Sequence, residues 1–166
     1  ANHSFPDGYP AGPDESIGLK NGTLKGMAES AGTYFTTETA YEAYISANGG
    51  KMPSGKIIYC DFDPGSSFNM GDDKNMNVDP SILVVHTDTL SGSMKNIHGG
   101  FKGVLLADSI VHVNANTNIL GMVQTFKDAG GKVAKMIWNP IGTKDYGPTI
   151  ASIDPGSDAV VAVVVG

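Results

Sequence analysis

Three short apolar runs separated by turn residues constrain this chain more than any other feature. They fall at residues 82–85 (Ile-Leu-Val-Val), 104–106 (Val-Leu-Leu) and 119–123 (Ile-Leu-Gly-Met-Val), within residues 81–126. Each is long enough for a buried strand and too short for a typical helix, and Gly, Ser, Asn and Asp fill the gaps. The first two share a phrase, with Val84, Val85 and Asp88 in the register of Val104, Leu105 and Asp108. Residues 55–61 (Gly-Lys-Ile-Ile-Tyr-Cys-Asp) have a related shape. Strand after strand at a roughly constant step predicts layers stacked on one another.

Composition agrees with strands and turns. Hydrophobic residues make up 40% of the 166 and charged residues only 17%, so surface polarity falls to Ser, Thr, Asn and 22 glycines. Exposed amphipathic helices usually carry Glu and Lys on their outer face, and little is available here. The formal charge of −6 and the absence of Arg argue against nucleic acid, whose phosphates call for clustered cations. The single cysteine, Cys60, rules out an intrachain disulfide and a cysteine-rich zinc site. Beside Ile57, Ile58 and Tyr59 it reads as a small core residue. No apolar run approaches the length of about 20 residues that spans a bilayer. The chain opens on Ala with no charged-then-apolar leader, which suggests either a cut chain or a leader removed on export. An exported protein is the expectation.

In order along the chain, residues 1–24 are punctuated by Pro6, Pro10 and Pro13 and by four glycines. They read as an extended arm or a set of turns, able to dock on a neighbouring subunit. Asn21-Gly-Thr23 matches a glycosylation sequon. Residues 36–48 form the best helix, with Thr36 or Thr37 as cap, Glu38 at its positive end and Gly49-Gly50 as stop. Tyr41, Tyr44 and Ile45 make one apolar stripe, which reads as core. A strand is expected at 56–62. In the loop 66–80, Asp73, Asn75, Asn77 and Asp79 alternate. The loop reads as plain polar; calcium is the alternative, although the central Gly and closing Glu of an EF-hand are missing. Residues 109–115 alternate, with Val111, Val113 and Ala115 on one side and Ile110, His112 and Asn114 on the other. Residues 122–128 either finish the strand array or form a short helix stopped by Gly130-Gly131. Strands at 132–138 and 159–165 follow, with a short helical piece at 149–153 between them.

No phosphate loop, Gly-x-Ser-x-Gly nucleophile or His-Glu-x-x-His motif is present. His3, His86, His98 and His112 are scattered; His86 and His112 sit in apolar strands as hydrogen-bonded imidazoles, and His98 lies in a turn. No catalytic, cofactor-binding or metal-ligating residue is assigned, and no cofactor.

At the stacked region, ILVVHTDTLSG followed by MKNIHGGFKGVLLADSIVHVNANTNILGMV resembles the repeat region of PilX-type pilus-assembly and related exported surface proteins, similar in manner to bactofilin-like β-solenoids. That resemblance covers residues 80–123 and implies a structural role in surface display, filament assembly or adhesion. A second resemblance lies in Phe126-Lys-Asp-Ala-Gly-Gly-Lys-Val133, Asn139-Pro-Ile-Gly-Thr-Lys-Asp-Tyr146, Ser157-Asp-Ala-Val-Val161 and AYISANGGKMPSGKIIYCDFD at 40–63. These look like type I periplasmic solute-binding proteins, and imply alternating strands and helices around a cleft.

The expected fold is mainly β (α+β), with short stacked strands, a β-solenoid-like middle, one N-terminal helix and a C-terminal strand. The expected organisation is an arm at 1–35, a helix plus stacked β core at 36–126, and a β-rich segment at 127–166. The expected function is a non-enzymatic, extracellular or cell-surface structural protein that meets its own copies or filament neighbours, with no nucleic acid partner and no membrane span. The alternative is a fragment of a periplasmic small-solute-binding protein.

Overall fold

The computed structural model describes residues 12–87, 93–110, 112–114 and 117–125. The class is mixed α/β. A five-stranded sheet runs β1 (Tyr34–Phe35), β2 (Ile57–Cys60), β4 (Ser81–Val85), β7 (Gly100–Ala107), β9 (Asn118–Thr125), every pair parallel and in chain order. Two smaller parallel pairs complete the strands: β3 (Phe68–Asn69) with β6 (Ile97–His98), and β5 (Ser93–Met94) with β8 (Ser109–Ile110). A single bridge from Ile97 to Val113 extends the first of these by one more layer.

Both faces of the main sheet are apolar, as parallel strands covered on each side require. Ile58, Cys60, Leu83, Val85, Leu105, Ala107 and Val123 face one way, into a core shared with Phe68, Met94, Ile97, Ile110 and Val113 from the short strands. Tyr59, Val84 and Leu106 face the other way, onto Leu24 and Ala28. The connection from β7 to β9 carries β8 and the Val113 bridge, and no helix among its described residues. The ambiguous stretch after Gly121 thus finishes the strand array, at least to Thr125.

Three helices are present among the described residues where one was expected. The expected one is α3 (Glu38–Ala47), capped by the Thr37 hydroxyl, which accepts from the Ala40 N–H at 3.3 Å. Tyr41 and Ile45 are buried on its inner side. The Tyr41 ring stacks on Phe68 at 4.8 Å between centroids, and its hydroxyl donates to the Asn69 carbonyl at 2.7 Å. The other two helices, α1 (Pro13–Ser16) and α2 (Thr23–Ala31), occupy part of the segment expected as an extended arm. Pro13 fits a first helical position, where its missing N–H goes unused. The buried Asp14 carboxylate accepts from Leu24 N at 2.8 Å and Gly22 N at 3.3 Å, tying α1 to the start of α2. Leu24 and Ala28, one turn apart, then bury against the sheet.

The alternation expected over 109–115 is broken. Ile110 and Val113, assigned to opposite sides, both enter the same core, because Ile110 pairs with Met94 in one ladder and Val113 with Ile97 in another. The strands expected at 132–138 and 159–165, the segment 127–166 and His3 lie outside the described residues. No helix among the described residues is long and apolar enough to cross a membrane.

Candidate functional site

Polar groups gather at the C-terminal ends of the main strands. Cys60, Val85 and Ala107 are register partners, so the next residues, Asp61, His86 and Asp108, form one row across the sheet. The ladder continues through that row: His86 N donates to the Cys60 carbonyl at 3.0 Å, and Asp108 N to the Val85 carbonyl at 3.1 Å. Strand alternation places all three beyond Tyr59, Val84 and Leu106, on the side covered by α1 and α2. Ligands of open parallel sheets commonly meet such ends.

His86 and Asp108 form a buried pair, with Nδ1 and Oδ1 2.7 Å apart and side-chain exposures of 6% and 0%. The second carboxylate oxygen of Asp108 accepts from Thr87 N at 3.4 Å. Facing a carboxylate, which can only accept, Nδ1 is the donor of the pair. Tyr59 meets the imidazole edge-on at 6.5 Å, and Gly12 packs near Nε2. The pair joins the ends of β4 and β7.

Beside it lies a more open group. The Tyr34 hydroxyl donates to Asp61 Oδ2 at 2.6 Å and Lys25 Nζ to the same oxygen at 3.2 Å, while the ammonium sits 5.0 Å from the Tyr34 ring centre. Burial alone would push the Asp61 carboxyl up, but the Tyr34 and Lys25 hydrogen bonds and the charges of Lys25 and His86 together hold it below the usual carboxylate range. Cys60 is fully buried among apolar residues, and burial pushes its thiol well up, away from the reactive thiolate.

The remaining polar assembly faces outward from the short strands. Phe68, Ile97 and Val113 point into the core, so Asn69, His98 and Asn114 point out as successive rungs, about 4.8 Å apart in such a ladder. They line a cleft of about 730 Å³ together with Gly50, Ser67, Gly71, Asp72, Asp73 and Gly99.

The stack separates the described histidines. His86 pairs with Asp108, His98 stands between two asparagines, and His112 is exposed. Among the described residues no group of three or more His, Cys, Asp or Glu side chains is arranged to hold a metal. In the loop weighed for calcium, Asn77 is committed elsewhere. Its Oδ1 accepts from Lys102 N at 2.9 Å, and its Nδ2 donates to the carbonyls of Lys102 at 2.8 Å and Asp79 at 2.7 Å. The side-chain amide stands in for a neighbouring strand at Lys102. Sequence reading missed the His86–Asp108 pair; the available signal was that each follows an apolar strand directly.

No family model matches the chain, and no curated protein or solved structure matches it.

Proposed function

We propose that this chain is a non-enzymatic structural protein of the exported or cell-surface kind, whose strands form a β-solenoid that joins further copies into a filament or surface layer. The observation that carries this reading is stacking on three sides at once. Ile57, Ile82, Val104 and Met122 form one column; Phe68, Ile97 and Val113 form a second; Ser93 and Ser109 form a third. From β4 the chain passes through the third column, the second and back to the main sheet at β7, and it does so again from β7 through β8 and Val113 to β9, so one coil repeats. Repeated coils build extended faces suited to contact. The ionisable groups best placed for chemistry, His86 and Asp108, are buried and join two coils.

The solute-receptor alternative draws on one feature, the β1–α3–β2 unit with parallel neighbours, which is a single strand–helix–strand crossover. The connections after β2 carry no helix among their described residues.

The α3 end of the stack is closed. Phe68 N and Met70 N donate to the carbonyls of Asn96 and His98, so the Asn69 carbonyl faces away from β6, and the Tyr41 hydroxyl occupies that open edge. Terminal caps of this kind stop coils from stacking on without limit, so subunit contacts belong away from α3. Sedimentation and electron microscopy of the purified chain over a range of concentrations test the proposal. Oligomers or filaments that grow with concentration are expected, unchanged by Glu42→Lys on the exposed side of α3. A monomer at every concentration that takes up a small solute would overturn it.

A further inference from the structure

We propose that the outward cleft over Asn69, His98 and Asn114 binds a neutral glycan chain lying across the strands. This goes beyond the structural role and does not rest on it.

The shape of the cleft is imposed by the backbone. Gly99 has φ +96°, and a Cβ there would lie 2.1 Å from the Gly71 carbonyl oxygen, so the floor between the rungs admits no side chain. Asp72 N donates to the Gly50 carbonyl at 2.8 Å, fixing one wall to the turn after α3. At about 730 Å³ the cleft falls within the range of small-molecule sites.

Its chemistry selects the ligand. The three rungs are two carboxamides and an imidazole, each able both to donate and to accept. Asn69 Oδ1 accepts from Gly71 N at 2.8 Å, while its amide nitrogen, on a residue that lines the cleft, makes no hydrogen bond among the described residues. The His98 ring and the Asn114 side-chain amide make no hydrogen bond among the described residues. Asp72 and Asp73 add acceptors for paired hydroxyls, and no lysine or large apolar side chain lines the cleft. A polyanion would meet two carboxylates without a cation, and an apolar ligand would strand polar groups. A chain of hydroxyl-bearing rings satisfies donors and acceptors alike, and successive rungs can meet successive rings.

The test uses the full chain with cellohexaose, chitohexaose and maltohexaose as neutral probes and hexagalacturonate as the acidic contrast. Calorimetry and the His98 ring resonances are the readouts. At least one neutral probe is expected to bind and shift the His98 signals. The double variant His98→Ala/Asn114→Ala should weaken that binding about tenfold or more without changing the melting temperature, because both side chains face out of the core. His98→Gln, which keeps a donor and an acceptor, should retain most of the affinity and separates lost contacts from a disturbed fold. The proposal fails if no neutral probe binds at millimolar concentration, if the double variant binds like the parent, or if hexagalacturonate binds as well as the neutral chains.

Discussion

Replacing Gly103 by alanine should destabilise the protein by about 4 kcal/mol, a large part of the stability of an ordinary domain. Ser81, Gly103 and Gly121 are register partners on three neighbouring strands. At Gly103 φ is +138°, and a Cβ would lie 1.8 Å from the Ser81 carbonyl oxygen and 2.6 Å from its nitrogen. The next layer repeats the arrangement: a Cβ on Gly121, at φ +148°, would lie 1.9 Å from the Gly103 carbonyl oxygen. These contacts are with backbone, which cannot swing aside as a side-chain tip can, so the layers would have to part. Gly26→Ala provides the control. That glycine lies inside α2, where an added methyl would meet nothing within 4 Å, and alanine there should stabilise by up to about 1 kcal/mol. Urea melts of the two variants should move in opposite directions. A Gly103→Ala protein that melts with the parent would remove the case for tight stacking of these three strands.

Asp108→Ala should cost about 3 kcal/mol. The change leaves the Nδ1 of a buried imidazole and the Thr87 N–H without the carboxylate that they share. Much of the loss comes from polar groups stranded in an apolar setting rather than from the attraction of the pair itself. Lys95→Ala is the comparison, since the Lys95–Asp63 pair is 3.6 Å apart with side chains 50% and 37% exposed. Solvent screens that pair, and its loss should stay within about 0.5 kcal/mol. Equal melting shifts for the two variants would contradict a structural role for the His86–Asp108 pair.

The strands were legible in the sequence because each is a short apolar run between turn residues. Their register was not. The shared phrase set Val84 and Val85 against Val104 and Leu105, whereas the partners are Leu106 and Ala107, two residues on. A two-residue slip keeps every side chain on its own face, so alternation does not distinguish the two registers. Close backbone approach does, since it needs Gly103 beside Ser81. The α3 helix was legible from its cap, stripe and stop, which are all local. Helices α1 and α2 were not, because α1 is one turn held by Asp14 and α2 is held by burial on Tyr59, Val84 and Leu106. Proline and glycine spacing speaks for local stiffness and says nothing of such distant support. The His86–Asp108 pair and the Asn69–His98–Asn114 rungs were hidden for the same reason, since each depends on register between strands far apart in the chain.

Inter-strand nuclear Overhauser contacts along Ile58, Leu83, Leu105 and Val123 test the stacked coil most directly, because these four residues are successive partners in one column. Contacts from each residue to the next, in the parallel pattern and without a skipped layer, are the expected result. Antiparallel contacts, or helical contacts between residues 108 and 117, would contradict it.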